Sequence, residues 1–301
     1  MSDIQTPQTI KKPLDLLTLD NVGIRAYHYQ PNSESSEDPT GIIVIGSATG
    51  VPQGFYKRFA EAAVSQGFEV ITLDYRGIGE SAPATLKGYH MDYLDWARQD
   101  LAAGIEYAQT ERRTRQLSCR LIMVGHSYGG HALGLLPNIE HIDGAYIFGA
   151  GAGWHGWMPA LERFKVRLLW NVIAPIVVKL NGYLAWNSFG MGENLPLNVY
   201  RQWKHWCKFP HYFFDDPKMQ HMHEVFARYD KPLVAVNAID DKWAQPASRD
   251  AFFKGYKNAQ ITNIDLQPSD CGLQKVDHMG YFKRDATAIW DEVFAWAKTL
   301  R

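Results

Sequence analysis

The residues best suited to chemistry are Gly125-His126-Ser127-Tyr128-Gly129, a serine with a glycine two positions away on each side. The aliphatic run Leu121-Ile122-Met123-Val124 ends at the first glycine. After the second, His131, Ala132, Leu133, Leu135 and Leu136 suit a buried helix. A serine on so sharp a strand-to-helix turn needs neighbours without a Cβ, because backbone passes close by. The turn would lift the hydroxyl to the top of a sheet. It would also set it at a helix N-terminus, where free N–H groups favour a developing oxyanion. The chemistry this predicts is nucleophilic attack on a carbonyl carbon.

A serine hydroxyl is a weak nucleophile at neutral pH, so a base must lie within hydrogen-bond reach and a carboxylate must hold that base in the right tautomer. The buried-strand pattern Pro232-Leu233-Val234-Ala235-Val236-Asn237-Ala238-Ile239 runs directly into Asp240 and Asp241. Further on, Val276-Asp277-His278-Met279-Gly280-Tyr281-Phe282 puts His278 on a loop before the last helical pattern. The order serine, acid, histidine is the one this layout requires. The residues alone leave both acids open.

Around these residues, strand and helix patterns alternate. Residues 14–19 and 23–29 alternate about a turn at 20–23 and predict an antiparallel hairpin, with a polar connection over 31–40. Apolar runs at 42–45, 68–73, 119–124, 142–148, 233–238 and 261–266 predict strands. Helical stripes cover 54–66, 92–108 with Asp92 as N-cap, and 285–300. The result is a mostly parallel sheet covered on both faces. Residues 154–230 interrupt the pattern and hold six of the ten tryptophans. This divides the chain into a core of residues 1–153 and 231–301 and an inserted helical cap at 154–230. The cap would line a substrate pocket with aromatic side chains, Trp154 and Trp157 being the candidate contacts. Its apolar run at 168–178 is about half the length that spans a bilayer, so no transmembrane segment is expected.

The 301 residues carry 31 Lys and Arg against 32 Asp and Glu, with no long basic run, which gives nucleic acid no electrostatic handle. Cys119, Cys207 and Cys271 are an odd number without metal-ligand spacing, which argues against disulfides or zinc and for a reducing compartment. Residues 1–14 are polar with no leader-like apolar core, so a cytoplasmic location is expected. Whether the chain forms a homo-oligomer stays open.

With these residues in view, the chain resembles the α/β-hydrolase superfamily over about residues 14–301, in its esterase-like, monoglyceride-lipase-like and serine-aminopeptidase-like branch. Asp74-Tyr75-Arg76-Gly77-Ile78-Gly79-Glu80-Ser81 is similar to that group's DxRGxGxS loop, and His278-Met279-Gly280 to its histidine loop. The resemblance implies an α/β fold with Ser127 as nucleophile and His278 as base. It also implies Asp241 as the orienting acid, nine positions after the proline that opens its strand, with Asp240 as the fallback. Backbone N–H groups of Thr49 and Tyr128 would hold the oxyanion. Two departures stand out. The oxyanion loop reads Gly46-Ser47-Ala48-Thr49-Gly50, with Ser47 where the group has histidine, and Asp277 precedes the base where glycine is common.

The other candidate motifs take plainer readings. His126 would pack beside the sheet. His221 and His223 do not share a helical face, so no metal site is expected. Gly149-Ala150-Gly151-Ala152-Gly153 lacks phosphate-loop spacing and reads as an entry to the cap. The expected activity is hydrolysis of an ester, thioester or amide of a small to medium apolar acyl group, without cofactor or metal. The alternatives are an acyltransferase like the homoserine O-acetyltransferases, using the same three residues, and a non-catalytic ligand-binding module.

Overall fold

The structure, a computed structural model, describes residues 9–32 and 38–300. Most of the segment 1–14 and part of the 31–40 connection lie outside the described residues. The expected hairpin is formed by β1 (Thr9–Leu17) and β2 (Gly23–Pro31). It turns at Asn21, whose φ of 62° is a left-handed conformation that asparagine tolerates. Six further strands follow: β3 (Gly41–Gly46), β4 (Phe68–Leu73), β5 (Arg120–His126), β6 (Gly144–Phe148), β7 (Pro232–Ala238) and β8 (Gln260–Leu266). The sheet order is β1-β2-β4-β3-β5-β6-β7-β8, antiparallel across β1, β2 and β4 and parallel from β4 to β8. The α/β-hydrolase fold expected from sequence is the one observed.

The helices in chain order are α1 (Lys57–Ser65), α2 (Ala102–Thr114), α3 (Tyr128–Leu135), α4 (Ala160–Leu168), α5 (Ala174–Asn181), α6 (Leu197–Trp206), α7 (Met222–Ala227), α8 (Pro246–Phe253) and α9 (Thr287–Ala297). Two-residue periodicity divides the inner strands between two cores. Ile42 and Val44 of β3 face one with α2, α3 and α8, through Ile105, Leu133 and Phe252. Ile43 and Ile45 face the other with α1 and α9, through Phe59, Trp290 and Phe294. At the sheet edge, β8 buries no residue fully, so coverage on both faces holds for the inner strands only.

The helix expected over 92–108 is shifted. Residues 92–95 form a turn, with the N–H of Asp95 donating to the Asp92 carbonyl at 3.0 Å. The Asp92 side chain accepts from Gln202 instead of capping. A π-helical turn, Trp96–Leu101, then leads into α2, which runs on to Thr114.

The Asp74–Ser81 motif braces the neighbouring loop after β3. Buried Asp74 accepts the Gln53 N–H at 2.7 Å, the Gln53 amide at 3.0 Å and the Glu80 N–H at 3.0 Å. A Cβ on Gly79, at φ 51°, would stand 2.6 Å from that carboxylate, so glycine is required there. Arg76 lies buried between Asp100 and Asp20, and its carbonyl accepts from the Trp96 indole at 2.9 Å. Between β6 and β7, α4 passes through a π-helical turn, Leu169–Ile173, into α5, and α6 and α7 follow. In this segment Trp170 stacks on Trp186 and meets Trp203 edge-on. Among the described residues, no helix is long and apolar enough to cross a membrane.

Candidate active site

The elbow forms where the sequence places it. Ser127 sits between β5 and α3 at φ 52° and ψ −106°, a conformation that costs a non-glycine residue on the order of 1–3 kcal/mol and persists only where its surroundings enforce it. Those surroundings are tight. The Ser127 N–H donates to the Phe148 carbonyl at 2.7 Å. A Cβ on Gly129 would lie 2.2 Å from the Gly46 carbonyl oxygen, and one on Gly125 would lie 2.6 Å from Ile147. Gly129 is therefore a steric necessity, and at Gly125 a Cβ would also crowd the Gly129 backbone carbonyl carbon at 3.0 Å.

Parallel strands deliver the partners to the same edge. The His278 ring lies 2.9 Å from Ser127 Oγ through Nε2 and 2.8 Å from Asp241 Oδ2 through Nδ1. Asp241 is fully buried, and its Oδ1 accepts the backbone N–H groups of Trp243 at 2.9 Å and Ala244 at 3.0 Å. Burial alone would raise its carboxyl, but the His278 ring and these N–H donors hold it below the usual aspartate value. For His278 burial works downward, and Asp241, with help from Asp277, outweighs it, so the imidazole lies above an ordinary histidine.

Asp240 takes a different task. Its carboxylate accepts the N–H of Val276 at 2.9 Å and of Asp277 at 3.1 Å, gripping the backbone of the histidine loop. Asp277 itself sits at φ 50°, the region glycine adopts freely, and pairs with Lys275. That backbone explains why glycine suits the position.

Thr49 and Ser127 border one cavity of about 620 Å³. The Thr49 hydroxyl bonds Tyr93 at 2.5 Å. Its N–H has no acceptor among the described residues. The N–H of Tyr128, first residue of α3, lies outside that helix's own ladder.

The structure does not bring Trp154 and Trp157 to the cavity. Trp157 donates to the Pro210 carbonyl at 2.9 Å, and Trp154 packs edge-on against it. The tryptophans lining the cavity are Trp186, Trp203 and Trp243, joined by Phe55, Met191 and Met279. Trp243 follows Asp241 by two residues, a proximity legible in the sequence. Gly149, read as part of an entry loop, is packed against the site. A Cβ there would lie 3.0 Å from Tyr281 and 3.3 Å from Asp241 Oδ2. No cluster of metal-ligating side chains occurs among the described residues, and His221 lies just before α7, which holds His223.

With the geometry in hand, comparison with known proteins gives three findings. The model of the family described as serine aminopeptidase, S33, matches residues 37–194. Epoxide hydrolase 3 of Xenopus tropicalis is 31% identical over 110 residues, 36% of this chain and 25% of that protein, so the likeness spans about a quarter of the relative's length. Among solved structures, a soluble variant of monoglyceride lipase from Saccharomyces cerevisiae, in complex with a substrate analog, superposes with a TM-score of 0.66 at 15% identity, covering 99% of this chain and 96% of that one. An esterase of Pyrococcus furiosus gives 0.58 at 15% identity, covering 97% and 93%. At such identities the structural likeness speaks for the fold alone.

Proposed function

This chain belongs to the serine aminopeptidase, S33, family, and from that membership we propose that it is a serine hydrolase cleaving carboxylic esters of a small to medium apolar acyl group. The observation that carries the proposal is the unbroken hydrogen-bonded series Ser127, His278, Asp241 at 2.9 and 2.8 Å, opening on an aromatic cavity. In this reading Ser127 attacks the carbonyl carbon while His278 Nε2 takes its proton. Asp241 keeps the other ring proton on Nδ1 and stabilises the imidazolium. The N–H groups of Thr49 and Tyr128 receive the oxyanion. His278 then protonates the leaving group, and water attacks the acyl-enzyme by the same route in reverse. Residues 154–230 act as a cap whose Trp186 and Trp203 shape the acyl site. Epoxide opening of the usual kind would need a carboxylate at the elbow, where this chain has Ser127.

A panel of p-nitrophenyl esters of rising chain length, beside an arylamide and an epoxide, tests the reading. Ester turnover with a burst of nitrophenol is expected, and turnover of the epoxide alone would sink it. Replacing a wall indole, as in Trp203→Ala, should raise KM for the preferred ester roughly tenfold with little change in kcat, since one apolar contact of this kind is worth about 1–3 kcal/mol.

The pH profile has a definite sign. Only neutral His278 can accept the serine proton, and its proton affinity is raised above that of ordinary histidine. As pH falls, kcat/KM should therefore decline at a higher pH than for an unperturbed imidazole. Asp277→Asn removes one of the charges that raise it. The acid limb should then move to lower pH, and a limb that stays fixed would remove Asp277 from the account.

A further inference from the structure

We infer that His126 and Tyr56 are positioning residues: a single buried hydrogen-bond chain through them ties the proposed oxyanion loop to the loop that carries the base. The inference rests on the triad reading above.

The chain's direction can be derived link by link. His126 is the elbow residue before the serine, the last residue of β5, and its side chain is fully buried. Its Nε2 lies 2.7 Å from the backbone carbonyl of His278. A carbonyl oxygen can only accept, so the ring proton must sit on Nε2. Nδ1 is then left with a lone pair, and the group facing it is the Tyr56 hydroxyl at 3.1 Å, which must donate. The phenol oxygen, having given its proton, accepts the N–H of Ala48 at 2.8 Å. Each link has one permitted sense, from the Ala48 N–H through Tyr56 and His126 to the His278 carbonyl. Ala48 immediately precedes Thr49, the proposed oxyanion donor, and His278 is the proposed base. The donor loop after β3 and the base loop after β8 are 230 residues apart in sequence, and this chain joins them.

The surroundings keep the chain intact during turnover. Phe55 stacks on the His126 ring at 6.4 Å, Phe282 lies at 5.2 Å and Tyr281 meets it edge-on at 6.0 Å. The titratable groups around the ring are Tyr56, Tyr281 and His278, the last 5.6 Å away, with the charge of Asp241 beyond it. Burial, and then the neighbouring charge of His278, push the His126 imidazole down to about 3. It stays neutral when His278 takes the serine proton, so it does not compete for that proton and does not lose its tautomer. Apolar packing alone would be served equally well by phenylalanine. A ring with two opposed hydrogen bonds is needed only if both loops must be held.

The test uses the full chain with His126→Phe, His126→Gln and Tyr56→Phe, assayed on the best p-nitrophenyl ester. Phenylalanine removes both bonds. Glutamine keeps an amide oxygen for Tyr56 and an amide N–H for the His278 carbonyl. Expected are a fall in kcat of roughly 10- to 100-fold for His126→Phe and Tyr56→Phe, the scale set by small misplacement of reacting groups, with KM nearly unchanged. His126→Gln should recover most of the loss. The double variant Tyr56→Phe with His126→Phe should lose no more than either single one, because both break the same chain. Should His126→Phe fail to fold, Tyr56→Phe and His126→Gln carry the test. Histidine ¹⁵N spectra of the unaltered protein should show His126 protonated on Nε2 only, and unchanged as pH falls past the point where His278 titrates. Full kcat in Tyr56→Phe, losses that multiply in the double variant, or a proton on Nδ1 would each overturn the inference. If instead Ser127→Ala keeps full activity, it is the triad reading that has failed.

Discussion

Ser127→Ala should lower turnover by on the order of a millionfold while leaving the fold and the cavity as they are. The hydroxyl is the group that bonds His278 Nε2, and its Cβ is what alanine retains, so the tight turn between Gly125 and Gly129 keeps its packing. The loss is expected in kcat with substrate binding preserved, because the oxyanion donors and the aromatic walls belong to other residues. A fluorophosphonate probe should add its mass to the unaltered chain at Ser127 and leave the variant untouched. Equal labelling of both would remove the serine from the mechanism. Residual turnover over water of about a thousandfold would fit the contribution of the oxyanion N–H groups alone.

Asp241→Asn should cost about ten-thousandfold in kcat by a different route, through the wrong tautomer. The asparagine oxygen can still accept the N–H groups of Trp243 and Ala244, which fixes the amide so that its NH₂ faces His278 Nδ1. A donor there forces the ring proton onto Nε2, and the nitrogen that should accept from Ser127 becomes a donor. Asp240→Asn makes the sharp comparison. Its oxygen keeps one of the two backbone bonds to the histidine loop, so a loss within about tenfold is expected. Were Asp240→Asn the more damaged of the two, the acid would have been assigned to the wrong carboxylate.

What could be read from sequence and what could not separate along a physical line. The elbow was legible because its demands are local: two glycines for close backbone, an aliphatic strand before and a buried helix after. The sheet was legible for the same reason, its inner strands being continuous apolar runs. Asp240 and Asp241 were not separable from the residues, since neighbours at a strand's end point different ways and only the turn over 241–244 decides which one meets the imidazole. The tryptophans that line the cavity are not legible in the sequence, because composition fixes how many aromatic rings the 154–230 segment holds but not which way each helix turns. Trp157 donates to the Pro210 carbonyl with Trp154 packed edge-on against it, while Trp186 and Trp203 reach the cavity from further along. The shifted start of the 92–108 helix escaped because residues 92–95 bond one another as a turn, which the apolar stripe does not register.

The sheet order β1-β2-β4-β3-β5-β6-β7-β8 has a consequence in time as well as in space. A chain made from its N-terminus can pair its strands through β6 with Ser127 already on its elbow. The carboxylate arrives only with the turn after β7, and the imidazole only after β8, on a loop followed by Tyr281, whose hydroxyl receives the Ala238 N–H of β7 at 2.8 Å. The Tyr281 carbonyl in turn receives the Trp290 indole of α9 at 2.8 Å. On the proposed triad, a growing polypeptide holds Ser127 without its base until His278 has been made, and a chain cut short before that residue would be inactive.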